Sequence, residues 1–299
     1  MNWRRISLPR RAALTGLLAL GAARAASLSG ADRAVVVRHT AGLPGLTRPL
    51  RVAQLTDLHY GLYIGAEQVR AWVDATLIER PDLIVITGDF LDADVMGGAA
   101  PLLAELSRLS APLGVYGVWG NHDYGSFGQY ARRFHSPQRA DWRERRAHFA
   151  AALADSGVTI LTNAGVQLRP DVYLAGVDDW MQGQPDLTAA LRGRGGGATL
   201  LLSHNPDQLP FVPASVGLTL CGHTHGGQVR LPLLGAVSTA SAHGQRFAQG
   251  WVQAPARAFV SRGLGMTAVP ARLSCPAEIA VFELEPVQAG FTAGPPPFR

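Results

Sequence analysis

The sequence predicts an α/β fold in which two mixed β-sheets pack together and are flanked by helices. Three observations carry that expectation. Between residues 50 and 119, short β-rich runs alternate with helix-like stretches. From residue 158 onward, strand-like runs follow one another with few helices between them. Finally, clusters of Asp, His and Asn stand where apolar runs end, the place where α/β sheets put ligand sites.

The N-terminus comes first. A basic start carrying Arg10-Arg11 precedes an uncharged stretch over 12–23, and Ala23-Arg24-Ala25 fits a small-x-small cleavage site. That stretch is too short to span a bilayer, which takes roughly 20 apolar residues. Residues 1–25 therefore read as an export signal, and the paired arginines resemble a twin-arginine signal for proteins exported already folded. The alternative is an uncleaved membrane-surface anchor. The expected location is the periplasm or cell envelope. Residues 26–49 read as a leader in which 35–37 form an edge strand.

A single catalytic domain is expected over 50–285. Strands are predicted at 52–55, 83–86 and 115–119, with helices at 65–80 and 97–110; Pro81 stops the first helix. Further strands are expected at 158–161, 166–168, 172–177, 199–202, 218–221, 228–231, 258–260 and 279–284. The tail over 286–299, with Pro295-Pro296-Pro297, is expected to be disordered.

A hydrophobic fraction of 47% and a charged fraction of 16% fit a packed core and exclude a disordered chain. The net charge of +5 belongs to Arg4, Arg5, Arg10, Arg11 and Arg24, which leaves 22 Arg against 22 Asp plus Glu elsewhere. A nucleic-acid partner is therefore not indicated. Two cysteines are too few for a disulfide framework, and Cys221, at the end of an apolar run, reads as a buried thiol.

Five clusters carry the chemistry: Asp57-Leu58-His59, Gly88-Asp89-Phe90-Leu91-Asp92, Gly120-Asn121-His122-Asp123, Ser203-His204-Asn205 and Gly222-His223-Thr224-His225-Gly226-Gly227-Gln228. Asp57 and His59 are two apart, so an extended strand end aims both the same way. Asp89 offers a carboxylate able to bridge two ions, and Asn121 a neutral oxygen. Imidazole mixed with carboxylate and amide oxygen, without thiolate, suits Mn, Fe or Zn better than a structural zinc site. Two divalent ions are expected.

In order and spacing, Asp-x-His, Gly-Asp-x-x-Asp, Gly-Asn-His-Asp, a lone His and Gly-His-Thr-His resemble the signature of the calcineurin-like metallophosphoesterases. Gly226-Gly227-Gln228 and Ser261-Arg262-Gly263-Leu264-Gly265 resemble the exported or membrane-associated branch typified by YkuE and YaeI. The resemblance implies a four-layer α/β/β/α sandwich. It implies one metal on Asp57, His59, Asp89 and His225, and a second on Asp89, Asn121, His204 and His223. It also implies in-line attack on phosphorus by a hydroxide between the ions, with His122 protonating the leaving oxygen. Asp92 is the candidate to orient His122, with Asp123 its competitor. Asn121, His122 and Arg262 are expected to contact substrate.

His39, His135, His148 and His243 lack cluster context and read as surface or loop histidines. Asp178 and Asp179 read as a turn. The segment 124–146 carries Arg132, Arg133, Arg139, Arg143, Arg145 and Arg146 among Tyr130, Phe134 and Trp142. It is a candidate to contact anionic headgroups or a membrane surface; the other reading is a solvated amphipathic helix. The expected activity is hydrolysis of phosphodiester or pyrophosphate bonds in a phosphorylated small-molecule, nucleotide-type or lipid substrate. One rival is a UDP-2,3-diacylglucosamine pyrophosphatase-type lipid A enzyme, a cytoplasmic step that a cleaved export signal would oppose. A rival of another class is an inactive metal-bound scaffold at the membrane. Composition and spacing give neither the oligomeric state nor the substrate.

Overall fold

The computed structural model of the chain describes residues 34–92, 98–130 and 138–287. The signal segment, the tail beyond 287 and part of the arginine-bearing insert lie outside these residues.

Five strands open the fold: β1 (Val35–Leu43), β2 (Leu50–Leu55), β3 (Leu83–Thr87), β4 (Val115–Val118) and β5 (Val158–Ile160). Helices α1 (Ala66–Ile78), α2 (Ala100–Leu106), α3 (Asn121–Phe127) and α4 (Trp142–Asp155) join them. Strands β2 to β5 run parallel, as crossover helices require. Next come β6 (Ala164–Arg169), β7 (Val172–Gly176), helix α5 (Leu187–Leu191), β8 (Ala198–Leu202) and β9 (Leu218–Cys221). A separate two-stranded hairpin, β10 (Arg230–Leu231) and β11 (Gly235–Ala236), precedes β12 (Gly250–Gln253) and β13 (Arg257–Val260). The last strand, β14 (Glu278–Pro286), returns to the first sheet between β1 and β2.

The two six-stranded sheets have orders β1-β14-β2-β3-β4-β5 and β12-β13-β9-β8-β7-β6. Both are mixed: β14 is antiparallel to β2, β6 to β7, and β12 to β13. Strand alternation assigns side chains to layers. Ala53, Leu55, Ile84 and Ile86 face Trp72 and Val73 of α1, Leu102 of α2, and Phe149 and Leu153 of α4. Their neighbours Val52, Leu83 and Val85 face the other way, onto Leu174, Leu200, Leu202 and Leu220 of the second sheet. The outer face of that sheet, with Tyr173, Ala175 and Leu201, is covered by Ala190 and Leu191 of α5. The layers therefore read helix, sheet, sheet, helix. Burying one such Leu or Val side chain is worth roughly 1.5–3 kcal/mol, so the double-sided sheets carry most of the folding energy.

Several elements differ from the sequence expectation. The edge strand starting at Val35 runs to Leu43 and pairs in parallel with β14, so part of the stretch read as a leader belongs to the first sheet. The strand expected at 228–231 shortens to β10 and sits outside both sheets. Strand β12 was not anticipated: its run is short and bounded by Gly250 and Pro255. His39 is not a surface histidine. Alternation on β1 turns it inward, among the rings of Trp251, Phe259 and Phe282 at 4.5–5.8 Å between centroids.

Candidate metal centre

Every cluster residue follows the C-terminal end of a parallel strand. Asp57 and His59 follow β2, Asp89 follows β3 and Asn121 follows β4, while His204 follows β8 and His223 and His225 follow β9. Face-to-face packing brings these strand ends to one edge, and polar contacts lock the two sheets there. Gln54 of β2, buried, donates to the hydroxyl of Thr87 and to the carbonyl of Cys221, both at 2.9 Å. The backbone N–H of His223 donates to both carboxylate oxygens of Asp57, at 3.0 and 3.1 Å.

The backbone here is unusual. Asp57, His59, Asp89, His223 and His225 all have positive φ, between 48° and 73°. Asp and His enter this left-handed region more readily than most residues, yet each still pays an energetic penalty. The turns fold each strand end back so that consecutive side chains converge on one point. Gly222 allows the closest approach: a Cβ there would collide with Thr56 Oγ1 and with Asp57 Oδ2.

Two groups of donor atoms result, joined by Asp89. In the first, His59 Nε2 lies 3.4 Å from Asp89 Oδ2 and 2.9 Å from His225 Nε2, which is itself 3.4 Å from Asp57 Oδ1. In the second, His204 Nε2 lies 3.3 Å from Asp89 Oδ2, 3.2 Å from Asn121 Oδ1 and 3.3 Å from His223 Nδ1. The triads Asp57–His59–His225 and Asp57–Asp89–His204 each gather one donor atom per residue within 4.8 Å.

The opposite nitrogen of three imidazoles meets a fixed acceptor, which sets the tautomer. His204 Nδ1 is 2.7 Å from the Thr87 carbonyl, His223 Nε2 is 3.1 Å from the Ala240 carbonyl, and His59 Nδ1 is 3.3 Å from Asp92 Oδ1. Each therefore donates outward, and the inner nitrogen is left to carry either a lone pair or, as on His204, a proton that a metal ion would replace. Lone pairs facing one another beside the buried carboxylates Asp57 and Asp89 repel unless a cation lies between them. The donor set fits divalent metal, with neutral imidazole, carboxylate and amide oxygen as ligands.

Electrostatics support that fit. Burial lowers the basicity of His223 to about 4, helped by the charge on His204, and burial followed by His59 holds His225 well below its ordinary value. Both are ready-made neutral ligands. For His204, burial is outweighed by Asp89, Asp57 and Asp179, and its pKa is pushed up to about 10. The surrounding carboxylates demand a positive charge at this point.

Asp92 has two tasks. Its Oδ1 accepts from His122 Nδ1 at 2.6 Å and from His59 Nδ1 at 3.3 Å. Burial opposes its charge, but the hydrogen bonds from His122 and His59 outweigh it and hold the carboxyl below the usual carboxylate range. Asp123 is occupied elsewhere, accepting the backbone N–H groups of Gly120 at 2.9 Å and Leu91 at 3.0 Å. The backbone N–H of His122 donates to Asp89 Oδ1 at 2.8 Å, and its ring, with 21% of the side chain exposed, sits at the edge of the cluster. His122 is thus both anchored to the shared carboxylate and open to solvent.

Arg262 is not brought into the cluster as a free anion ligand: its guanidinium pairs with Glu278 at 2.5 Å. Arginines of the 124–146 segment are likewise engaged within the fold. Arg139 pairs with Asp141, Arg145 donates to the carbonyls of Phe127 and Ser126, and Arg146 lies over the rings of Tyr124 and Trp142. Arg132, Arg133, Phe134 and His135 lie outside the described residues. Asp178 and Asp179 form a turn, Asp179 accepting from the N–H groups of Met181 and Gln182.

Sequence reasoning missed Arg272. This buried guanidinium donates to the carbonyls of Arg262, Gly263, Gly265 and Cys275, and its Nη2 lies 3.3 Å from His225 Nδ1. It folds the single long loop between β13 and β14 onto itself and ties it to His225 of the metal centre. A lone arginine in a loop carries no local signal of such a role.

Comparison with known proteins agrees with this geometry. The family model described as calcineurin-like phosphoesterase matches residues 50–227. The chain is 31% identical over 243 residues to the uncharacterized metallophosphoesterase YkuE of Bacillus subtilis, covering 79% of each chain. It is 29% identical over 244 residues to the phosphodiesterase YaeI of Escherichia coli, covering 79% of this chain and 82% of that one. It is also 26% identical over 217 residues to the UDP-2,3-diacylglucosamine pyrophosphatase LpxG of Chlamydia muridarum, covering 61% and 65%. The chain belongs to the calcineurin-like phosphoesterase family and is a metal-dependent phosphoric ester hydrolase.

Proposed function

We propose that the chain hydrolyses phosphodiester bonds at a two-ion centre and that it works outside the cytoplasm. The observation that carries this reading is the shared carboxylate of Asp89, which lies within 3.4 Å of His59 and of His204 and so joins the two donor sets. In this reading Asp57, His59, Asp89 and His225 hold one ion, and Asp89, Asn121, His204 and His223 the other. Bound ions supply Lewis acidity and an activated water for attack on phosphorus.

The chain's own residues do the rest. His122, partly exposed and held by Asp92, is placed to donate a proton to the leaving oxygen. Asp92 accepts from Nδ1–H and keeps that proton in place, so the proton passed to the leaving oxygen is the one on Nε2 of the doubly protonated ring. Asn121 contributes a neutral oxygen to the second donor set and keeps that set from carrying excess negative charge toward an incoming phosphate. The likeness to LpxG favours a second reading, in which the scissile bond is a pyrophosphate of a lipid-linked nucleotide.

The test is hydrolysis of bis-p-nitrophenyl phosphate by protein reconstituted with Mn²⁺, Fe²⁺ or Zn²⁺. Turnover should require metal and vanish in Asp89→Asn. His122→Ala should lose about 10²–10⁴-fold in kcat on an unactivated diester, and less on the nitrophenyl ester, whose leaving group needs little protonation. Absence of metal-dependent turnover with every ion would overturn the reading. N-terminal sequencing of the native protein tests export, because a processed end after Ala25 is expected.

A further inference from the structure

We infer that the β10–β11 hairpin and the cavity behind it form a docking face that seats the metal centre on an anionic lipid surface. Leu231 ends β10, and the turn that follows is Pro232-Leu233-Leu234. Leu233 and Leu234 are 107% and 75% exposed, and Leu231 is 40% exposed. Three leucines at one tight turn are a local excess of exposed apolar surface that a solvated loop does not need. The base of the hairpin is braced. Gln245 accepts from the N–H of Ala236 and donates to its carbonyl, and Val237 N–H donates to Val229.

The apolar surface continues into the catalytic site. A cavity of about 340 Å³ lies beside His223 and His225 and is lined by Val229, Val237, Ala240 and Val269. Val237 and Val269 remain 66% and 47% exposed at its rim, so rim and leucines share one face. The Ala240 carbonyl that orients His223 belongs to the same wall.

Charge selects the occupant. Arg230 stands on β10 and Arg246 beside the Gln245 that braces it, and from residue 208 to residue 277 the chain has no Asp or Glu; Arg262 and Arg272 add nothing to this face, being taken up by Glu278 and by backbone carbonyls. The hairpin itself therefore carries no carboxylate to repel an anionic headgroup layer; Asp207, which reaches the neighbouring loop, is occupied there by the Ser241 hydroxyl and the Ala242 N–H. Aliphatic side chains beside arginine with no acid are the composition of an interfacial membrane contact. Among the described residues no helix is long and apolar enough to cross a membrane. Docked in this way, the face brings headgroup phosphoesters to the mouth of the metal centre. This consequence rests on the phosphoesterase reading; the docking itself does not.

The full-length protein tests the inference with vesicles of phosphatidylcholine alone and of phosphatidylcholine with phosphatidylglycerol. Leu233→Cys labelled with a polarity-sensitive fluorophore should shift to the blue on the anionic vesicles, while the same label at Ile78→Cys, exposed on α1, should not. The triple variant Leu231→Ser, Leu233→Ser, Leu234→Ser should bind anionic vesicles at least about tenfold more weakly. It should hydrolyse bis-p-nitrophenyl phosphate at the wild-type rate. A label at position 233 that stays in water when vesicles bind overturns the inference. So does a blue shift that appears without lipid and grows with protein concentration, which would assign the face to a second copy of the chain. Vesicle binding without any diester turnover would retain the docking face and remove the phosphoesterase reading.

Discussion

Asp92 is the residue on which the two halves of the chemistry meet, because one carboxylate oxygen holds both a metal-facing imidazole and a solvent-facing one. Asp92→Asn keeps the size but weakens the acceptor for both rings. The expected result is a loss of about 10- to 100-fold in kcat or metal affinity, read by steady-state kinetics and metal titration. Unchanged values for both would show that His59 and His122 hold their positions without it. The buried histidines also impose a pH signature on the metal-free protein. His223, held down to about 4 mainly by burial, binds a proton in the unfolded chain before it does so in the folded one. Its contribution to stability therefore falls as pH drops from about 6.5 toward 4. His204, pushed up to about 10, contributes fully below about 6.5 and loses that contribution as pH rises toward 10. Asp123 and Asp179, pushed up by burial to about 7 and about 6, lose stability in the same direction as His204, so chelated protein should melt lower at pH 9 than at pH 6.5; a melting temperature that climbs steadily from pH 5 to pH 9 would contradict this account.

Among the elements, the strand-end turns matter more than the strands. The clusters were legible in the sequence because each lies within a few residues of the run that precedes it, as in Leu83-Ile84-Val85-Ile86-Thr87-Gly88-Asp89. Contacts that arise from folding were not legible. Asp92 and Asp123 could not be told apart, since the choice depends on which carboxylate meets backbone N–H groups and which meets a ring. Strand β12 was invisible because its few residues carry no clear alternation, and β14 reaches its place between β1 and β2 only through the return of the chain. Arg272 is the clearest case, for its partners are carbonyls at both ends of the one long loop between β13 and β14. Arg272→Met would leave those carbonyls unpaired and remove the clamp. A destabilisation of about 1–3 kcal/mol is expected in denaturant unfolding. A change below about 1 kcal/mol would show that the loop holds without the guanidinium.

At the scale of the whole molecule, the layered architecture was legible as a class but not as a topology. Alternating runs gave the parallel half of the first sheet, and the crowding of strands after residue 158 gave a second sheet. The order of that sheet, and the fact that both sheets present their C-terminal strand ends to one edge, follow from packing. That shared edge gives the chain its function. The first sheet supplies Asp57, His59, Asp89 and Asn121, the second supplies His204, His223 and His225, and no site exists until the sheets meet. The most direct test of the account is the metal content of the reconstituted, desalted protein measured by plasma mass spectrometry. Wild type should retain two divalent ions per chain and Asp89→Asn should fail to hold the pair. A wild-type protein that is fully active with a single ion, or an Asp89→Asn protein that keeps both, would contradict it.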